Sequence, residues 1–279
     1  MIKAVIESRS QTRGKLTFRD HRRMNRILSL YSSSIGKKFL AALTGLILFG
    51  FLVGHMAGSL KVFTGTSAVT TTSDSGEEVV QNIPHVDEYG QFLKEAGAPV
   101  LPGMMGLWIA RIVLLTALIV HVTVVIQLSA QSKAARPIGY VKSKKAAASA
   151  SAQYMMFSGF AILGFVIFHI LHFTTGHIQL GEFEHGAVYG NLSYAFAKWW
   201  VALGYTLMMV VVGFRLYHGI WSLFQTLGLD NPDRNKMLRG FAAAVAVLLA
   251  IGFAVVPLAF MFGALPEPVE YPHELLSNH

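Results

Sequence analysis

Five apolar runs, each near the length that crosses a bilayer, constrain this chain more than any other feature. They cover roughly 37 to 60, 104 to 130, 154 to 176, 199 to 226 and 240 to 264. A helix rises about 1.5 Å per residue, so about 20 apolar residues cross the hydrocarbon core of a membrane. No water inside that core can bond backbone N–H and C=O groups, and a helix satisfies them internally. The expected fold is therefore all-α: an integral membrane bundle of five transmembrane helices over 37–264. A basic N-terminal segment, 1–36, precedes it and a short tail, 265–279, follows. The connection 61–105 falls on one side of the membrane and the connection 131–152 on the other. Composition agrees, because 53% hydrophobic and only 14% charged residues make more apolar surface than one soluble domain can hide.

Five spans put the termini on opposite sides, and Lys and Arg decide which side is which. Residues 1–38 hold ten of them, 131–152 hold five and 227–239 hold three, while the opposite connections hold only Lys61, Lys94 and Lys198. Eighteen against three predicts a multi-pass protein of the cytoplasmic membrane, N-terminus inside and C-terminus outside. The net charge of +8 is thus a topology signal. Its basic residues flank spans instead of lining a face of a soluble domain, so the expected partner is membrane lipid and not nucleic acid. The absence of cysteine excludes disulfides, thiolate-held iron–sulfur clusters and c-type haem attachment in this chain. The charged stretch before the first run does not resemble a cleaved signal peptide. Residues 16–30 alternate basic and apolar residues, as an interfacial helix or a solvated basic tail would. The polar tract from Thr64 to Ser75 reads as disordered, the second half of 61–105 as ordered, and 138–152 as a linker between two helical hairpins.

Four of the five runs carry an interior histidine: His55, His121, His169 and His218, with His172 one turn beyond His169. Counted from the cytoplasmic ends of their spans, His55 lies roughly 18 residues in and His169 roughly 15, which puts both in the outer half. Counted from the outer ends, His121 lies roughly 17 residues in and His218 roughly 19, which puts both in the inner half. A weak internal repeat supports the pairing. Phe49-Gly50-Phe51-Leu52-Val53-Gly54-His55 aligns without a gap on Leu163-Gly164-Phe165-Val166-Ile167-Phe168-His169. The alignment matches His55 to His169 and prefers His169 to His172.

Histidine in hydrocarbon is costly and is kept where it has a partner or a task. Two imidazoles at equal depth on facing helices can hold one haem iron from both faces, an electron-transfer arrangement with no open position for substrate. Two such pairs predict two b haems, an outer one on His55 and His169 and an inner one on His121 and His218, where these residues are the axial iron ligands. Glycines beside them, Gly50, Gly54, Gly58, Gly164 and Gly219, admit a flat macrocycle or serve close helix packing. A bare metal site normally recruits carboxylates or thiolates, and a proton relay uses carboxylates; the spans contain neither. Past Lys37 and Lys38 at the very start of the first run, their only charges are Arg111 and Arg215. Each is a candidate partner for a haem propionate, with snorkelling to the outer interface the alternative for Arg111.

Further runs carry a family likeness. Gly54-His55-Met56, Ser158-Gly159-Phe160 leading to His169, and His218-Gly219-Ile220-Trp221-Ser222-Leu223-Phe224-Gln225-Thr226-Leu227-Gly228 resemble the cytochrome b558 membrane-anchor subunit of succinate dehydrogenases and fumarate reductases. The likeness extends from about residue 36 to 260. It implies a five-helix dihaem subunit of a succinate:quinone oxidoreductase that carries no succinate-oxidising site itself. A flavoprotein subunit with FAD and an iron–sulfur subunit would dock on its cytoplasmic face. Menaquinone or another quinone would react near the outer surface. Glu95, just before the second span, is similar to an acidic residue of relatives and is either a proton carrier for the quinone or solvated surface. Relatives commonly place the fourth-span ligand where this chain has Arg215, which does not ligate haem iron. Either His218, the sole histidine of that span, has taken over, or the inner haem has lost a ligand. The rival readings are a dihaem quinone-linked cytochrome of a hydrogenase or formate dehydrogenase, and a haem-free transporter or scaffold.

Overall fold

The computed structural model describes residues 33–72, 78–135, 146–229 and 231–268. The expected interfacial helix at 16–30, the first part of the 138–152 linker and the tail beyond 268 lie outside them. The protein is mostly helical, with five helices long and apolar enough to cross a membrane. These are α1 (Ser34–Ser59, extended by a 3-10 turn Leu60–Phe63), α3 (Met105–Ala134), α4 (Ala146–His169, extended by a π turn Ile170–Thr174), α6 (Trp199–Thr226) and α7 (Pro232–Met261). Between α1 and α3 stand strands β1 (Thr66–Thr72) and β2 (Glu78–Pro84) and helix α2 (His85–Glu95), and between α4 and α6 the short helix α5 (Val188–Phe196). At most 33% of the most apolar stretch of any long helix is buried in the protein. Side chains such as Ile112, Phe157, Phe214 and Ile251 face outward, as they would toward lipid and not toward water.

The helix ends follow from local chemistry that hydropathy alone does not see. Helix α7 begins eight residues before the apolar run because Asn231 accepts a hydrogen bond from the Asp233 amide at 3.0 Å, with Pro232 in the first turn; this is a side-chain cap on a proline-started helix. Helix α6 ends where Gly228 takes φ +72°. The Leu229 amide reaches back to the Phe224 carbonyl and the Gly228 amide to that of Gln225, a turn that only an αL residue closes. Gly263 closes α7 the same way, with φ +66°. Helix α4 starts inside the expected linker, at Ala146, because Ala-Ala-Ala-Ser-Ala-Ser-Ala favours helix strongly.

The expected disorder from Thr64 to Ser75 is corrected by the hairpin over Thr66–Thr72, while 73–75 lie outside the described residues. Thr66–Thr72 pairs antiparallel with Glu78–Pro84, Thr66 opposite Pro84 and Thr72 opposite Glu78. The tract is poor in large apolar residues but rich in β-branched ones, which suit a pleated surface once a partner strand supplies hydrogen bonds.

The chain divides into two compact units, 1–47 with 116–139 and 48–115 with 140–279. In the first, Val124 and Ala117 of α3 are buried. The second has a core in which Val62, Val86, Phe196, Ala202, Tyr205 and Phe260 meet. There Asp87, 2% exposed, accepts a hydrogen bond from the Tyr189 amide at 2.8 Å, in the first turn of α5. The negative charge suits the positive end of that helix, and it pushes the Tyr189 phenol pKa up, second to burial. Asp87→Ala is expected to cost about 1–2 kcal/mol, the scale of a lost helix cap. Limited proteolysis should then cut first within 61–105 or 175–198; an unchanged digestion pattern would contradict it.

Candidate functional site

Two of the four span histidines come together within the second unit. His55 of α1 and His169, the last residue of α4, have ring centres 5.8 Å apart with planes at 71°. Two imidazoles bound to one shared metal at about 2 Å each bring their ring centres to roughly 6 Å. Aromatic rings wall both. Phe51 stacks on His55 at 5.3 Å and Phe253 packs at 5.6 Å, while Phe165, Phe173 and Tyr205 lie 5.7 to 6.0 Å from His169. The arrangement of Phe51 and His55 is the ordinary (i, i+4) contact of a helix. His169 stands where α4 widens into its π turn, a distortion common at functional sites.

The His169 Nδ1 is buried and has no hydrogen-bond partner among the described residues. Such a group costs about 1–3 kcal/mol, so it points to a task. Among the described residues no cluster of three or more His, Asp or Glu side chains could hold a bare metal ion. Gly50, Gly54 and Gly164 are exposed on their helices, and an added Cβ there would meet nothing within 4 Å.

His172 is differently employed. It is 3% exposed, its Nδ1 lies 2.9 Å from the Tyr205 hydroxyl, and its ring stacks on Phe173 at 4.0 Å. Either group of this pair can donate, the phenol to a bare Nδ1 or an Nδ1–H to the phenol oxygen. Of the two neighbours, His169 is the one whose Nδ1 has no hydrogen-bond partner among the described residues.

The other candidates are placed as follows. His121 belongs to the first unit, its Nδ1 3.1 Å from the Thr44 hydroxyl. His218 belongs to the second and is exposed on α6, edge-on to Tyr217. Arg215 is half-buried, and its Nη1 donates to the Met155 carbonyl at 2.8 Å and approaches the Met155 sulfur at 3.6 Å. Gly159, one turn along α4, leaves the guanidinium room. A helix carbonyl thus meets the charge where the sequence suggested an anion. Arg111 is exposed and lies over the Trp108 ring at 5.0 Å, a cation–π pair suited to an interface. Glu95 is exposed at the C-terminal end of α2.

No family model matches this chain, and no curated protein or solved structure matches it either.

Sequence reasoning passed over Thr44 and Tyr205. Both are polar residues in apolar runs, which is the signal that could have found them, but a hydroxyl carries no charge and draws less notice than a histidine.

Proposed function

We propose that this chain is the membrane-anchor cytochrome b subunit of a succinate:quinone oxidoreductase, of the succinate dehydrogenase or fumarate reductase type. The observation that carries it is the meeting of His55 and His169 between helices fit to cross a membrane. On this reading His55 and His169 hold one haem b, and His121 and His218 a second. When bound, such a group exchanges single electrons and, with both axial positions filled, offers none to substrate.

The chain's residues supply the setting. Phe51, Phe165 and Phe253 orient the two imidazoles, and the apolar helices exclude water, which strengthens every electrostatic contact inside. The Lys and Arg distribution supports an N-terminus in the cytoplasm and a location in the cytoplasmic membrane. A chain without cysteine carries no iron–sulfur cluster of thiolate type; a flavoprotein with FAD and an iron–sulfur subunit on the cytoplasmic face would supply succinate chemistry. The substrate proposed here is menaquinone or another quinone, with Glu95, exposed to water, exchanging its protons.

The test is a dithionite-reduced minus oxidised spectrum of the purified protein, with a haem-to-protein ratio and identification of co-purified subunits. Two b haems and succinate-linked partners support the proposal. Partners from a hydrogenase or formate dehydrogenase would reassign the donor, and colourless protein would leave the histidines as polar glue between helices.

A further inference from the structure

We infer that the α6–α7 hairpin carries a binding site for the phosphate of an anionic phospholipid headgroup, with Arg239 and Lys236 as its cations. Arg239 is the last charged residue before an uncharged stretch from 240 to 264, so it stands where hydrocarbon gives way to headgroups. Its guanidinium lies over the Trp221 ring of α6 at 4.6 Å, a contact that fixes the cation without neutralising it. Lys236, three residues earlier on the neighbouring turn, is exposed like Arg239. Among the described residues neither cation has a side-chain hydrogen bond or ion pair, and the Trp221 indole N–H has no acceptor.

These groups match a phosphodiester at a membrane surface. The planar fork of arginine takes two phosphate oxygens together, and a lysine ammonium adds a point charge. Indole and guanidinium also settle at headgroup level, apolar body toward the chains and polar edge toward water. The two helices hold the pair in register: Phe224 and Phe241 meet at 6.0 Å, and a Cβ on Gly213 would lie 3.0 Å from that of Ala250. Charge changes sign along the chain here. Asp230 and Asp233 come first, and Arg234, Lys236 and Arg239 follow toward the apolar run. Asp233 stands in the first turn of α7, where the positive end of the helix favours it, and the cations stand nearer hydrocarbon. An acidic protein surface arriving from water would meet the aspartates first, whereas a lipid phosphate reaches Arg239 within the plane of the bilayer. Basic pockets between membrane helices bind such headgroups.

The experiment uses the purified full chain in phosphatidylcholine nanodiscs with and without phosphatidylglycerol. Native mass spectrometry reads the phosphatidylglycerol retained, and a titration gives its dissociation constant. Wild type should keep phosphatidylglycerol in preference to phosphatidylcholine. Arg239→Gln and Lys236→Gln are each expected to weaken it about fivefold, the equivalent of about 1 kcal/mol per basic residue at a membrane surface. Arg239→Lys should fall between, because charge remains and the fork is lost. Lys133→Gln, exposed at the end of α3, should change nothing. Equal retention in wild type and both glutamine variants, or the same loss in Lys133→Gln, would overturn the inference. So would inorganic phosphate that displaces the lipid at equal concentration, which makes the ligand a free anion. Loss of co-purified subunits from Arg239→Gln with lipid retention intact makes the face a protein contact and overturns it too. Should Arg239→Gln fail to fold, Lys236→Gln carries the same test. The readout needs no haem, so colourless protein would sink the functional reading and leave this one standing.

Discussion

His55→Ala is expected to remove one of two haems completely and leave the other spectrally intact, and His169→Ala to remove the same one. The two rings come from α1 and α4, 114 positions apart along the chain, yet lie 5.8 Å from each other.

 If both rings grip one iron, removing either takes away half of its protein ligation. His121→Ala and His218→Ala should together define the second haem in the same way. Redox titration and a haem-to-protein ratio on each variant decide the matter. Loss of different haems by His55→Ala and His169→Ala, or full retention of both, would refute the pairing.

Tyr205→Phe and His172→Phe are expected to keep both haems and to lose stability. The Tyr205 hydroxyl and the His172 Nδ1 are each other's hydrogen-bond partner at 2.9 Å in a region walled by Phe165, Phe168, Phe173 and Phe196. Removing one partner strands the other without water, at about 1–3 kcal/mol. In a chain of this size each kcal/mol lowers the unfolding midpoint by roughly 2–4 °C. Removing both together should cost less than the two single changes combined, since neither polar atom is then stranded. A thermal melt followed through the haem absorbance checks all three variants. If His172→Phe arrives with a single haem, His172 is the ligand and His169 is not.

That five helices are long and apolar enough to cross a membrane was legible in the sequence, because hydrocarbon imposes a length and a polarity that any spanning segment must meet. So was the match of His55 with His169, through the repeat that aligns Gly50 with Gly164. What the periodicity of single segments could not carry was the partner of each polar group. The back-bonded hydroxyl of Thr44, the Tyr205 phenol on His172 and the Met155 carbonyl on Arg215 are contacts between residues 33 to 77 positions apart. The hairpin between Thr66 and Pro84 was missed for the same reason, since a strand's hydrogen bonds belong to its neighbour.

Sequence by itself determined which segments are helical and apolar and where imidazoles interrupt them, since both follow from local composition and the 1.5 Å rise of a helix. Tertiary structure alone decided which imidazole nitrogen is engaged and which is left over. That depends on where a neighbouring helix puts its hydroxyls and carbonyls, and a hydrogen bond is lost when its partner is displaced by about an ångström.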